Sequence, residues 1–232
     1  MTPTHTTDRQ RDARPPAAPA RPNLAEEKRL WQTGYTSVAG IDEVGRGALA
    51  GPVVAAAVVL PPNVALPSSL GAINDSKQVP ARQRNELAAM IRDVAQAVGV
   101  GLVSASQIDR MGIAAATRQA MALAVADVQH HGHAVDYLLI DFLTLNLPLP
   151  QQGIVKGDCR SISIAAASIV AKVTRDRLMT ELAAVYRGYG FDQHKGYGTA
   201  AHREAIARLG PCAEHRRSFA PVSQLPLMGG LA

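Results

Sequence analysis

Residues 52–60, PVVAAAVVL, constrain the fold more than any other stretch of this sequence. The segment is apolar throughout, lacks the alternation of a half-exposed strand, and contains four valines, which favour an extended chain. Such a strand carries apolar side chains on both faces, so both faces of its sheet must be covered. A covered sheet with helices on each side predicts an α/β fold.

The other periodic segments alternate between helical and extended patterns. Helices are predicted over residues 24–31, 81–98, 113–129, 162–182 and 199–209, and further strands over residues 38–42, 98–104, 136–141 and 153–156. On the long helix, Lys172 with Asp176 and Arg177 with Glu181 have the i,i+4 spacing of ion pairs. Strands interleaved with helices, without internal repeats, support the α/β class.

Composition divides the chain into three parts. Residues 1–23 contain five prolines and four arginines without apolar periodicity, which predicts a disordered basic arm; a solvated tail is favoured over weak contact with nucleic acid phosphates. Residues 24–222 hold all the predicted elements and form one domain. Residues 223–232 are predicted to be a flexible tail.

The net charge and the cysteine count narrow the class of protein. The net charge of +5 suits a polyanionic partner, and only two cysteines, Cys159 and Cys212, exclude a disulfide framework and a CxxC zinc site. Apolar runs fall far short of the ~20 residues of a membrane span, and the N-terminus has no apolar centre like that of a signal peptide. We therefore expect a cytoplasmic protein without membrane attachment.

Acidic residues stand at the edges of predicted elements. Asp42 and Glu43 end an apolar strand, Asp141 ends another strand, and Asp158 precedes the long helix. Adjacent side chains of an extended segment point to opposite faces. Asp42 and Glu43 therefore serve one site only if the chain turns there, which the glycines at 45 and 47 permit.

A hard divalent cation is the physical reason to bring such carboxylates together. Mg²⁺ prefers oxygen ligands, and two ions about 4 Å apart activate water and stabilise the leaving oxygen in phosphodiester cleavage. The alternative is that each acid is a surface charge or a helix cap, with Asp158 the strongest candidate for a cap. Asp136 competes with Asp141, but it begins its strand.

Six motifs, in order along the chain, resemble those of the ribonuclease HII family. They are AGIDEVGRG at 39–47 with AGPV at 50–53, DSK at 75–77, KGD at 156–158, IAAASI at 164–169, KVTRD at 172–176 and HKGYGT at 194–199. The resemblance spans about residues 24–222. One departure is Phe142, because many members have glycine after the third carboxylate.

The resemblance implies a fold and an activity. The fold is a ribonuclease H-like mixed five-stranded sheet flanked by helices, with a helical C-terminal extension. The activity is that of an endoribonuclease that hydrolyses the RNA strand of RNA–DNA hybrids and nicks 5′ of single ribonucleotides in duplex DNA. It uses two Mg²⁺ or Mn²⁺ ions and leaves 5′-phosphate and 3′-hydroxyl ends. Ribonucleotide removal in DNA repair and replication, by a monomer, is the implied biology.

The resemblance also implies roles for particular residues. The four metal-binding carboxylates correspond to Asp42, Glu43, Asp141 and Asp158. Gly45, Arg46 and Gly47 match a loop that contacts the ribose 2′-hydroxyl, and Tyr197 matches a tyrosine that packs on the neighbouring sugar. Lys77, Lys156 and Lys172 are candidates for the substrate backbone. For Lys77 the alternative is a surface turn, and for Lys172 it is the pair with Asp176.

Further interpretations concern partners and rival functions. Residues 224–228, Gln224 to Met228, resemble the Gln-Leu-x-Leu-Phe peptide that binds the bacterial sliding clamp, with Met in place of Phe. The run at 215–217 is interpreted as a basic patch that steers a duplex. The histidines at 130, 131 and 133 are interpreted as charges at a helix C-terminus, not as metal ligands.

Two rival functions stay open. Ribonuclease HIII favours long hybrids and usually has a substantial N-terminal binding domain, for which the 23-residue arm is too short. A non-catalytic nucleic-acid-binding protein on the same fold is disfavoured by the presence of all four acids. Cleavage of duplex DNA that carries one ribonucleotide separates the three functions.

Overall fold

The computed structural model describes residues 21–62 and 80–224. Its sheet has five strands: β1 (Val38–Val44), β2 (Val53–Val59), β3 (Ala97–Val103), β4 (Tyr137–Asp141) and β5 (Gln151–Ile154). Their order is β3-β2-β1-β4-β5. β1 pairs antiparallel with β2, and β2 with β3, whereas β1, β4 and β5 are parallel. The predicted mixed five-stranded sheet is confirmed.

The helices in the described residues cover both faces of this sheet. They are α1 (Ala25–Gln32), α2 (Ala81–Val94), α3 (Ala105–Met111), α4 (Ile113–His130), α5 (Ile162–Val185), α6 (Phe191–His194) and α7 (Ala200–Leu209), with short 3-10 turns at Gly157–Cys159 and Val222–Gln224. None of the helices in the described part of the chain is long and apolar enough to cross a membrane.

Strand β2 lies between two hydrophobic clusters, as its composition predicts. Ala55 and Ala57 pack with α4, through residues such as Met121. Ala56 and Val58 face the other way and pack with α2 and α5. All seven residues of the strand are buried. Because the burial of apolar area is the dominant favourable term in folding, this two-faced strand anchors the fold.

Several element boundaries differ from the sequence predictions. Helix α2 ends at Val94, because Ala95 is extended and the N–H of Gln96 donates to the carbonyl of Val59 (2.8 Å). Strand β5 begins two residues earlier than predicted and ends at Ile154. Strand β1 continues past residue 42 to Val44.

The parallel strands bring their carboxyl ends to one edge of the sheet. Asp141, the last residue of β4, pairs with Ile154, the last residue of β5. Ile41 of β1 pairs with Ile140, so Asp42 follows beside Asp141. This edge therefore gathers the acidic ends of separate strands, and α5 runs directly behind it.

Candidate active site

One cleft of 480 Å³ is lined by all four predicted carboxylates: Asp42, Glu43, Asp141 and Asp158. Asp42 and Glu43 lie near the end of β1, Asp141 ends β4, and Asp158 lies in the 3-10 turn after β5. The other lining residues are Val44, Arg84, Ser168, Lys172 and Tyr197. The structure thus brings the four acids together.

The turn beside Asp42 and Glu43 lies later in the chain than predicted. Both residues still pair with β2, opposite Ala56 and Ala55, and the left-handed backbone begins at Gly45, with φ of +92°. Both side chains nevertheless line the cleft, although neighbouring strand residues normally face opposite ways. The expectation that the chain must turn at the pair itself was wrong.

The pKa values of two carboxylates in the cleft are raised. Burial raises the pKa of Asp42 well above its usual range, and the charges of Glu43 and Asp141 raise it further, against hydrogen bonds from Ser168 and from the N–H of Glu43. The pKa of Glu43 is also raised, first by burial and then by Asp141, with Arg46 opposing. Like charges held in a buried site favour the binding of a cation.

The four carboxylates offer the oxygen ligands that a hard divalent cation prefers, although their side chains do not already form a complete metal site. Oδ1 of Asp42 accepts from the N–H of Glu43 (2.7 Å), and Oε1 of Glu43 faces Arg46 at 3.3 Å. Within residues 21–62 and 80–224, no three His, Cys, Asp or Glu side chains form a ready metal cluster. Each carboxylate has a second oxygen. The side chains would have to reorient so that these oxygens face a bound ion.

The position of Asp158 is fixed by Asp141. Oδ1 of Asp141 accepts from the N–H of Gly157 (2.7 Å), which ties the 3-10 turn to the end of β4. Helix α5 is capped by Ser161, whose hydroxyl accepts from the N–H of Ile164. The alternative of Asp158 as the cap of the long helix was therefore wrong.

A loop of residues 45–52, called the glycine loop below, is held from beneath by Arg175. This buried guanidinium donates to the carbonyls of Pro52 (2.9 Å), Ala50 (3.0 Å) and Lys195 (2.8 Å). A Cβ at Gly45 would lie 2.2 Å from Nε of Arg175, and its positive φ also demands glycine. Gly45 therefore lets the loop close over the arginine.

The segment that carries Tyr197 is joined to the glycine loop. The carbonyl of Gly196 accepts from the N–H groups of Leu49 (2.8 Å) and Ala50 (3.3 Å). The guanidinium of Arg175 lies over the Tyr197 ring, 5.4 Å from its centroid. Because Tyr197 also lines the cleft, the loop and the carboxylates share one surface.

Comparison with known proteins matches the family model for ribonuclease HII to residues 39–222. The chain belongs to the ribonuclease HII family. A ribonuclease HII of Dehalococcoides mccartyi is 51% identical over 205 residues, which cover 88% of this chain and 95% of the relative.

Solved structures of this family have the same fold. Ribonuclease H2 from Pyrococcus horikoshii superposes with a TM-score of 0.67 at 25% identity, over 81% of this chain and 96% of that one. The PCNA:RNase HII complex from Archaeoglobus fulgidus gives 0.64 at 26% identity, over 79% and 95%. The ribonuclease H-like fold inferred from the motifs is thereby confirmed.

The lysines proposed from the ribonuclease HII motifs lie in three different settings. Lys172 lines the cleft and also pairs with Asp176 (2.7 Å), so the predicted ion pair is confirmed and its contact with the substrate backbone stays a prediction. Lys156 is exposed, in left-handed backbone just before the turn of Asp158, and is not among the lining residues. Lys77 lies outside the described residues.

Sequence reasoning missed four residues that line the cleft or support the glycine loop. Ser168 of α5 hydrogen-bonds Asp42. Arg84 of α2 lines the cleft and faces Asp176 at 3.6 Å. Arg175 and Arg216 are buried under the glycine loop. No local pattern distinguishes a buried arginine from a surface one.

The basic run at 215–217 is not a surface patch. His215 and Arg216 are buried, and only Arg217 is exposed. The predicted steering role was therefore wrong for two of its three residues. Of the histidines at 130, 131 and 133, the first two lie at the C-terminal end of α4. Nδ1 of His131 lies 2.8 Å from the carbonyl of Asp127 at the end of α4.

Proposed function

We propose that the chain, an endoribonuclease of RNA–DNA hybrids by its family, also nicks duplex DNA 5′ of single embedded ribonucleotides, leaving 5′-phosphate and 3′-hydroxyl ends. One observation carries the proposal: a cleft lined by four carboxylates adjoins a loop built to approach a sugar closely. In the cell this activity would serve ribonucleotide removal during DNA repair and replication.

The carboxylates would hold two Mg²⁺ or Mn²⁺ ions. A neighbouring structure of a related ribonuclease HIII was solved in complex with Mn²⁺. Ions bound there would make a water nucleophilic at neutral pH and offset charge on the leaving oxygen. In this chain, Asp42 and Glu43 would supply oxygens from β1, Asp141 from β4 and Asp158 from the turn. Ser168 would hold Asp42 in place.

The glycine loop and Tyr197 would recognise the ribonucleotide. The 2′-hydroxyl is the group that distinguishes RNA from DNA, and a site built to hydrogen-bond it rejects the deoxy sugar strongly. The exposed Gly47 presents no side chain, so backbone groups can reach the sugar. Tyr197, in the cleft wall, would pack on the sugar beside it.

Cations at the rim would contact the substrate backbone. Lys172 and Arg84 line the cleft and face different oxygens of Asp176, with side chains only 16% and 13% exposed. A phosphate that entered the cleft would compete with Asp176 for both cations. Lys156, next to the turn of Asp158, and Lys77 complete the proposed set.

A nicking assay with matched duplexes tests this function. The substrates are a DNA duplex with one ribonucleotide, an RNA–DNA hybrid and the all-DNA duplex, each with Mg²⁺ and with chelator. We expect cleavage of the first two with Mg²⁺ only. Cleavage of the hybrid alone would indicate specificity like that of ribonuclease HIII, and no cleavage at all would indicate a binding protein.

We further propose that residues 224–228 bind the sliding clamp. The support is the peptide pattern and the archaeal ribonuclease HII solved in complex with PCNA. Of these five residues only Gln224 lies in the described part of the chain. Deletion of residues 223–232 should abolish clamp binding in a pull-down while nicking continues. Clamp binding by the truncated chain would exclude the idea.

A further inference from the structure

Arg216 is a buried cation whose side-chain hydrogen bonds to the described residues all go to the glycine loop. Nε and Nη2 donate to the carbonyl of Gly51 (3.0 and 2.9 Å), and Nη1 donates to the carbonyl of Arg46 (2.8 Å). Its backbone N–H donates to Leu49 (2.8 Å). One side chain from the far end of the domain thus spans the loop from residue 46 to residue 51.

These contacts fix the direction of one particular peptide group. The Arg46–Gly47 peptide is trans, so its C=O and N–H point in opposite directions. Because the carbonyl of Arg46 points inward to Arg216, the N–H of Gly47 points outward. Within residues 21–62 and 80–224 that N–H donates to no protein acceptor, and Gly47 is exposed.

Among residues 21–62 and 80–224, nothing requires glycine at position 47. Its φ is not in the left-handed region, and a Cβ built there would meet nothing within 4 Å. Gly45, two residues earlier, is glycine because of both its φ and Arg175. The open space at Gly47 therefore leaves its backbone accessible to a molecule that approaches from outside.

Arg216 is itself held from the opposite side. Phe219 lies against its guanidinium, with 5.1 Å from Cζ to the ring centroid. Asp109 of α3 accepts from the N–H groups of Arg217 (2.9 Å) and Ser218 (3.0 Å) and from the Ser218 hydroxyl (2.6 Å). Burial and the nearby Arg175 lower the pKa of Arg216 to about 9, so holding this cation here costs free energy.

We propose that Arg216 is a positioning residue for ribose recognition: it holds the Arg46–Gly47 peptide so that the Gly47 N–H donates to the 2′-hydroxyl at the cleavage junction. This inference rests on the proposed function and deepens it. The sugar touches Gly47, and Arg216 acts through that peptide without touching the substrate.

Arg216→Lys tests this role, with Arg217→Lys at the exposed neighbour as the matched control. Both variants keep the charge. A single ammonium cannot bridge the carbonyls of Gly51 and Arg46 as the planar guanidinium does. The readout is the ratio of dissociation constants for the all-DNA duplex and the same duplex with one ribonucleotide. It is measured with Ca²⁺ in place of Mg²⁺ to limit turnover.

We expect wild type and Arg217→Lys to prefer the ribonucleotide duplex equally. Arg216→Lys should lose about tenfold of this preference, the value of a well-made hydrogen bond, with the all-DNA affinity within about twofold of wild type. A general loss of structure would weaken binding to both duplexes. An unchanged preference in a folded Arg216→Lys protein would overturn the inference, whereas no preference in wild type would count against the proposed function itself.

A second measurement decides the matter if Arg216→Lys does not fold. In wild-type protein labelled with ¹⁵N, the Gly47 amide resonance should shift on adding the ribonucleotide duplex and shift much less with the all-DNA duplex. Equal shifts with the two duplexes would overturn the inference, because the N–H would then not distinguish the sugars.

Discussion

Phe142 has a backbone conformation that a bulky residue rarely adopts. Its φ is +64°, its side chain is 67% exposed, and it directly follows Asp141. Asp141 still lines the cleft, so this departure from the family pattern does not displace the carboxylate. Left-handed backbone at a residue with a Cβ costs roughly 1–3 kcal/mol.

Phe142→Gly should therefore stabilise the protein. Relief of the backbone strain exceeds the entropic cost of glycine, for a net gain of about 1 kcal/mol in the free energy of unfolding. Urea denaturation of both proteins measures the difference. Val185→Gly, at another exposed apolar residue but in a helix, should instead destabilise. A loss of stability in Phe142→Gly would show that its ring has a packing role.

At the scale of residues, the carboxylates of the cleft could be predicted from the sequence, whereas the buried arginines could not. Asp42, Glu43 and Asp141 stand out because charge at the end of an apolar strand needs a reason, and Asp158 stands out because it directly precedes the long helix. Arg175 and Arg216 do not, since their partners are carbonyl oxygens of a distant loop. Such acceptors exist only once the chain has folded.

At the scale of elements, the site depends on how closely α5 packs on β1. A Cβ at Gly40 would lie 2.2 Å from the backbone carbon of Ser163 and 2.4 Å from the nitrogen of Ile164. Both contacts are to backbone, which cannot rotate away. This close approach brings Ser168 of α5 to Asp42 of β1.

Gly40→Ala should separate these two elements. We expect a loss of about 2–4 kcal/mol in the free energy of unfolding, as for overpacking that the backbone cannot relieve, and slower cleavage by the protein that still folds. Chemical denaturation and the nicking rate measure the two effects. Stability equal to wild type would mean that α5 does not pack against β1 as described.

Long elements were predictable from periodicity, whereas short ones were not. Strand β2 and helices α4 and α5 repeat their pattern over many residues. Helix α3 has seven residues and α6 has four, so neither gives a clear period; Ser104 and Gln107 of the α3 capping box are the one available signal. Strand β5 was placed too late because, as an edge strand, it begins with polar residues.

At the scale of the whole molecule, buried histidines connect the C-terminal segment to Tyr197. Nδ1 of His215 accepts from the N–H of Cys212 (3.0 Å), so its proton is on Nε2, which faces Nε2 of His202 at 3.1 Å. Nδ1 of His202 then donates to the carbonyl of Tyr197 (3.0 Å). The chain of hydrogen bonds is complete only when both rings are neutral.

Low pH should reduce the free energy of unfolding because it favours protonation of these two rings. Burial lowers the pKa of both His202 and His215 from 6.5 to about 4, so the unfolded state binds more protons between these values. Their contribution is present above pH 6.5 and lost as the pH falls to about 4, on the order of 3 kcal/mol for each ring. Histidine ring resonances followed by NMR across this range should show two rings that protonate only near pH 4.

The buried charge of Asp42 should also reduce the free energy of unfolding at neutral pH. At neutral pH the raised pKa of Asp42 means that its buried charge opposes folding, and asparagine has the same shape without the charge. Without divalent ions, Asp42→Asn should therefore melt at a higher temperature than wild type. A melting temperature below that of wild type would indicate that Asp42 has a structural role.

The nicking rate of Asp42→Asn on a duplex with one ribonucleotide shows whether these carboxylates hold the divalent ions that cleavage needs. With Mg²⁺ present and the protein shown to be folded, we predict a rate at least about 1,000-fold below wild type with substrate binding retained. A rate within tenfold of wild type would show that cleavage does not need Asp42 to hold a divalent ion.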